Sequence, residues 1–294
     1  MSAAPAHRGT IFLEDARVLE HRAFAGAQYV LRLAAPRCAA AATPGSFVHL
    51  TCGPDLPMRR PLSIMRASLR EGWIEVLYKV VGHGLADLAS RRPGESLSCL
   101  GPIGRGFSAN PARPRLLLVG GGVGIPPVVF LAETLAAARG AWKPLVLMGS
   151  EIPFPFEAVQ SRLPAPGLPA GATAAMPLLE ELGVPSRLAS LAGFVGCHRG
   201  YVTELADAWL SSLDATGRSE AEVFTCGPHG MLVAVAALAR GHGVPCQASL
   251  EENMACGVGG CAGCTVLVQT PEGPAMKRVC VDGPVFDAAT VFGG

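Results

Sequence analysis

Between Thr10 and Leu100 the apolar residues recur at every second position in short runs. Tyr29, Leu31 and Leu33 alternate with polar or small residues, and so do Ile74, Val76, Tyr78 and Val80. A period of two is that of a strand with one buried face. Pro44-Gly45 and Pro93-Gly94 punctuate the runs as turns, so the pattern predicts a small antiparallel β-barrel over residues 9–110. The grammar changes after Asn110-Pro-Ala-Arg-Pro114. Arg115-Leu-Leu-Leu-Val119 is a nearly continuous apolar run, as expected of a strand buried on both faces, and glycines lead from it into a helical stretch from Pro126 to Arg139. Further buried strands at Pro144 to Met148 and Val223 to Thr225, the second followed by a helix from Met231 to Arg240, predict a doubly wound α/β domain over 111–245. From Glu151 to Leu191 the chain is rich in Ala, Pro and Gly, and its periodicity is too weak to place an element. Residues 246–294 are then a small third unit, of a size that usually needs a metal or another staple.

Composition narrows the function classes. Half of the 294 residues are hydrophobic, enough for real cores, and 24 basic and 23 acidic residues are mixed along the chain to a net charge of +1. No basic block is present to track a phosphate backbone, so nucleic acid is not an expected partner. Residues 1–9 carry no apolar run, and no segment offers about 18 uncharged apolar residues in succession. The expectation is a cytoplasmic protein that does not enter a membrane. Ten cysteines without a secretory signal favour metal or redox chemistry over a disulfide scaffold. Six of them, Cys38, Cys52, Cys99, Cys197, Cys226 and Cys246, are scattered, and most read as small buried hydrophobes.

The other four carry the strongest pattern. Cys256 and Cys261 are separated by four residues, Cys261 and Cys264 by two, and Cys280 follows after fifteen more. This is the C-x4-C-x2-C spacing of plant-type [2Fe-2S] proteins, with its distant fourth cysteine. Gly257, Gly259, Gly260 and Gly263 allow the loop to wrap tightly and to aim backbone N–H groups at sulfur. A zinc site built from the same four thiolates is the alternative, although zinc ribbons usually pair two short C-x2-C knuckles.

Three further segments have nucleotide chemistry. Met58-Arg-Arg60-Pro61-Leu62-Ser63-Ile64 sets a cation for a pyrophosphate and a hydroxyl for the reactive edge of a flavin on one extended segment, or else is a basic surface strand. Tyr78-Lys-Val-Val-Gly82-His83-Gly84-Leu85 runs from a strand through two glycines into a helix, where backbone amides can cradle a phosphate. His83 alone reads as a surface turn residue. Gly120-Gly121-Gly122-Val-Gly124-Ile-Pro-Pro127 follows a buried strand and opens a helix, the context of a phosphate-binding turn. Glu151, after the next strand, tilts the choice of nucleotide toward NAD, and Thr225-Cys226-Gly227-Pro228 lies at the carboxyl edge of the sheet, where ligands bind in open α/β folds.

The order of these pieces resembles the ferredoxin reductase-like flavoprotein superfamily. Ser249-Leu-Glu-Glu-Asn-Met-Ala-Cys256-Gly-Val-Gly-Gly-Cys261 and Cys280-Val-Asp-Gly-Pro-Val-Phe286 make the chain most similar, within it, to the electron-transfer subunits of NAD-dependent dihydroorotate dehydrogenase. The resemblance covers nearly the whole chain. It implies that Arg60, Pro61, Leu62 and Ser63 contact FAD and that Gly82, His83, Gly84 and Leu85 lie near its pyrophosphate. It also implies that Gly121, Gly122 and Gly124 face NAD, that Cys226 sits near the flavin, and that Ser63 and Cys226 are the residues next to the chemistry. Leu62 stands where many members of the superfamily stack an aromatic ring, and the usual Asp-Asp-Gly-Ser stretch is absent near Ala189 to Val202. The implied role is electron transfer in pyrimidine biosynthesis within a hetero-oligomer, a heterotetramer with an FMN-bearing catalytic subunit. Alternatives are a reductase subunit serving ferredoxin, a hydrogenase or a sulfur-reducing enzyme, and a zinc-stabilised nucleotide-binding regulatory protein.

Overall fold

A computed structural model describes residues 10–53, 56–138 and 140–293. Residue 9, which opens the expected barrel, and Arg139 and Gly294, which close the expected helix and tail, lie outside the described residues. The period-two segment folds into a closed barrel of six antiparallel strands in the order β1-β2-β5-β4-β3-β6. These are β1 (Phe12–Phe24), β2 (Gln28–Ala34), β3 (Phe47–Leu50), β4 (Arg60–Ser68), β5 (Trp73–Lys79) and β6 (Ser96–Ile103), with α1 (Pro36–Ala41) after β2 and α2 (Gly82–Ala89) after β5. Leu31, Leu33, Ile64, Ile74, Val76 and Tyr78 fill the interior, where closure also removes exposed strand edges. β5 buries five successive residues because its outer face is covered as well. Val30, Met65 and Leu77 belong to the same apolar cluster as Val128, Val129 and Leu131 of the next domain. Arg66 on β4 reinforces that seam by donating to Glu133 at 2.7 Å.

The second layer is a six-stranded sheet in the order β11-β8-β7-β12-β13-β16. β7 (Arg115–Gly121), β8 (Lys143–Gly149), β11 (Ser186–Ala189), β12 (Ala221–Cys226) and β13 (Cys246–Ser249) are parallel, and β16 (Val285–Asp287) pairs antiparallel with β13. α3 (Ile125–Ala137), α5 (Val202–Ser212) and α7 (His229–Gly241) cover its faces, and α4 (Pro177–Glu181), α6 (Ala215–Ser219) and α8 (Ala288–Phe292) are single turns. The stretch that carries no readable periodicity holds the short pair β9 (Val159–Gln160) and β10 (Ala174–Ala175), α4, and the edge strand β11. The strand opening at Cys246 is a member of this sheet, and the chain returns to it at Val285. The remainder of the tail is a loop and one hairpin, β14 (Thr265–Thr270) with β15 (Gly273–Arg278). Among the described residues no helix is long and apolar enough to cross a membrane.

Candidate functional site

Two cavities open at the edge of the barrel, the first against the tail and the second against the sheet. The first, of about 470 Å³, is walled by Pro61, Leu62 and Ser63 of β4, by Tyr78 and Lys79 of β5 and by Leu85 of α2. Its opposite wall is the unbroken segment Ser249 to Met254 together with Pro284. Leu62 is buried and gives this cavity an apolar, aliphatic wall. The second, of about 700 Å³, lies over the carboxyl ends of β7, β8 and β11 and is lined in part by Gly121, Gly122, Glu151, Tyr201, Pro228 and Met231. Lys79 and Val123 line both. The sizes and the few polar groups on largely apolar walls are those of nucleotide sites, and their contact suits exchange between two bound rings.

The arginines of the Met58–Ile64 segment divide their work. Arg59 is committed to the barrel, donating to the carbonyls of His49 and Ser98 and to the Ser98 hydroxyl. Among the described residues, Arg60 donates only to the neighbouring carbonyls of Met58 and Arg59. Its guanidinium lies flat against Gly84, where a Cβ would stand 2.8 Å from Nη2, so the glycine is what admits the cation to the start of α2. If Arg60 holds the pyrophosphate of a bound FAD, replacing it with alanine should raise the FAD dissociation constant roughly 10- to 100-fold, the weight of a charge-assisted hydrogen bond. Flavin fluorescence titration of the apoprotein checks it, with Arg59→Ala expected to act on stability instead. Gly82 and His83 sit at the exposed start of α2, outside the cavity wall.

In the glycine-rich turn, Gly121 and Gly122 reach the second cavity, while Gly124 lies behind them. A Cβ on Gly124 would meet backbone atoms of Cys226 and Gly227 at 2.5 Å, which ties the turn to the end of β12. Cys226 is fully buried and is on neither wall; its thiol lies 4.0 Å from the Glu251 carboxylate, which does line the first cavity. Burial pushes the Cys226 thiol up from its ordinary value. Tyr78, Lys79, Glu251 and Asn253 also line the site; the sequence places them within the quoted segments but gives none of them a role of its own.

The strongest mutual effects pair the cysteines, Cys256 with Cys261 and Cys264 with Cys280, while Cys256 also acts on Cys280 across the pairs. The second pair spans fifteen residues because β14 and β15 bring Thr265 opposite Arg278, with the Val279 N–H donating to the Cys264 carbonyl at 2.9 Å. Among the described residues no three or more His, Cys, Asp or Glu side chains are gathered so as to hold one metal ion. Two thiolate pairs are instead what a two-iron centre requires, each iron taking two terminal cysteines. The loop supplies the expected donors: the Val258 N–H points to Cys256 Sγ at 3.5 Å and the Gly263 N–H to Cys261 Sγ at 3.4 Å. Burial pushes the Cys256 thiol up, but the backbone of Val258, Cys261 and Gly260 and the Cys261 thiol outweigh it and bring it down to about 7. Burial, then the neighbouring Cys264 thiol, push Cys280 up to about 12. Gly257 and Gly259 have φ of +68° and +81°, the left-handed conformation that the wrapping loop needs.

Comparison with known proteins agrees with this geometry. Residues 251–292 match the profile of the iron-sulfur cluster binding domain of dihydroorotate dehydrogenase B. The electron transfer subunit of dihydroorotate dehydrogenase B (NAD(+)) from Desulforamulus reducens is 33% identical over 92% of this chain and 95% of its own length. The subunit of the same name from Bacillus caldolyticus is 34% identical over 95% and 98%. Among solved structures, the NADH-dependent reduced ferredoxin-NADP oxidoreductase described for flavin-based electron bifurcation superposes with a TM-score of 0.75 at 23% identity, covering 95% of this chain and 90% of that one. A ferredoxin NADP+ reductase from Neisseria gonorrhoeae with bound FAD and NADP gives a TM-score of 0.56 at 13% identity over 79% and 92%. The last two speak for the fold.

Proposed function

The chain belongs to the family of electron transfer subunits of dihydroorotate dehydrogenase B, and on that ground we propose that it moves electrons between NAD and a partner subunit that oxidises dihydroorotate. Its cofactors are FAD, a [2Fe-2S] cluster and NAD. When bound, the flavin exchanges a hydride with nicotinamide and single electrons with iron and sulfur, which is why such a chain needs both groups. The observation that carries the reading is the segment Ser249 to Met254, which forms one wall of the first cavity and delivers Cys256 two residues later. Flavin wall and cluster loop are thus one piece of chain.

Each remaining role belongs to this chain's own residues. Arg60 and the amides at the start of α2 hold the pyrophosphate of FAD, Leu62 packs its ring, and Ser63 offers a hydroxyl to its reactive edge. Gly121 and Gly122 let the NAD phosphates approach the backbone, Glu151 accepts from the ribose hydroxyls, and Cys226 and Glu251 flank the flavin. Cys256, Cys261, Cys264 and Cys280 hold the irons. Residues 9–110 and 111–245 correspond to the flavin and nucleotide tasks, and within 246–294 the excursion between β13 and β16 takes the cluster. The partner carries FMN and the dihydroorotate site, the two chains form a heterotetramer, and the assembly works in the cytoplasm.

Mixing the purified chain with the dihydroorotate-oxidising subunit should give dihydroorotate-dependent NAD+ reduction that neither protein gives alone. The chain alone should reduce dyes with NADH. No gain on mixing would remove the assignment of partner, and a protein lacking both flavin and iron would remove the function.

A further inference from the structure

His49 lies at the junction of the barrel and the cysteine loop and has no role in the sites described above. It sits on β3, opposite Pro61 of the flavin-lining strand on one side and Leu100 of β6 on the other. Its side chain is fully buried, and among the described residues neither ring nitrogen has a hydrogen-bond partner. Native interiors leave few such atoms unpaired, and each calls for a physical reason. The ring abuts the cluster loop: a Cβ on Gly257 would stand 2.9 Å from Nδ1 and 3.4 Å from Cγ. Burial and the Arg59 guanidinium push the imidazole toward its neutral form, while the backbone of Met254, Cys256 and Arg59 bears on it in the opposite sense. A neutral ring offers one N–H and one lone pair. His49 thus abuts the loop at Gly257, next to Cys256, the first proposed cluster thiolate, and three residues after Met254, a wall of the flavin cavity.

Resting on the electron-transfer reading, we propose that His49 is a positioning residue whose ring N–H hydrogen-bonds the Met254–Gly257 backbone once the cluster is seated, fixing the gap between cluster and flavin. The loop cannot hold that gap by itself. Its glycines at 257, 259, 260 and 263 give it freedom, whereas β3 is held on both sides by the barrel ladder. Electron transfer falls steeply with separation, so a loop free to shift would slow it without changing either cofactor site. Second-sphere partners of metal ligands typically matter by 10- to 100-fold.

The test uses the full chain isolated anaerobically with FAD and cluster. His49→Phe keeps a planar ring and removes the N–H, and His49→Gln restores a donor. The readouts are iron, sulfide and FAD per chain, the EPR spectrum of the reduced cluster, and the single-turnover rate of cluster reduction after NADH is mixed in. His49→Phe is expected to retain FAD and NADH–dye turnover, to alter the EPR spectrum and to slow cluster reduction about 10-fold or more. His49→Gln should recover most of that rate. A His49→Phe protein with the spectrum and rate of the unsubstituted one overturns the assignment. Should that variant not fold, the unsubstituted protein labelled with 15N-histidine decides: loaded chains should show one ring N–H protected from exchange and broadened by the cluster. Free exchange at all seven histidines overturns it. An unsubstituted protein without iron and sulfide would overturn the function along with it, whereas an indifferent His49→Phe in a loaded background sinks this assignment alone.

Discussion

Serine at position 264 should leave a yellow protein that has lost its iron. Cys264 is buried and paired with the equally buried Cys280, and the hairpin β14–β15 exists between them to bring the two together. A serine hydroxyl is a far weaker ligand than a thiolate for iron, and in this dry position water cannot easily supply a substitute. Iron and acid-labile sulfide should fall to a few per cent of the unsubstituted protein, while FAD content stays near normal because no wall of the first cavity includes Cys264. In the assembled enzyme, dihydroorotate-dependent NAD+ reduction should drop at least about 100-fold, and NADH–dye reduction should persist. Metal analysis beside the visible spectrum checks this. Unchanged iron in Cys264→Ser would mean that this cysteine is not a ligand.

The second large effect is expected at Gly124→Ala, and there it is mechanical. The added methyl would meet the Cys226 carbonyl carbon and oxygen and the Gly227 Cα, all at 2.5 Å. These are backbone atoms at the end of a central strand, so nothing flexible can give way. Overpacking of this kind costs about 3 kcal/mol or more, which should lower Tm by about 6 °C or more or leave the protein insoluble. Gly230→Ala is the contrast, because nothing lies within 4 Å of its Cβ position. On α7 it should be neutral or gain up to about 1 kcal/mol. Thermal denaturation of the pair separates steric need from mere glycine content, and equal Tm values would refute the packing argument.

What could be read from the chain follows from which forces write a periodic signature. The barrel was legible because one buried face imposes a period of two, and β7, β8 and β12 because a doubly covered strand must be apolar throughout. β11 was not: Ser186 and Arg187 look like a surface pair, yet all four residues of the strand are buried. Arg187 survives there because its guanidinium donates to the carbonyls of Ser186 and Leu163, a solution that only tertiary structure supplies. Cys246-Gln-Ala-Ser249 reads as a short strand after Val244-Pro245, but it is too polar to announce its place in this sheet, where Gln247 is satisfied by Glu222 and the Ser108 carbonyl. The four cysteines of the proposed cluster could be singled out from spacing alone, since ligand geometry is local. Glu251 was not, because its meaning depends on a cavity formed by segments nearly two hundred residues apart.

β13 and β16 are neighbours in one ladder, so residues 250–284 leave and re-enter the sheet about one strand spacing, roughly 4.8 Å, apart. An excursion tethered so closely at both ends carries little of the entropy that a free tail would have to surrender on capturing its irons. A chain stripped by oxygen would thus remain a shaped mould, ready to be refilled in place, with its nucleotide sheet still standing.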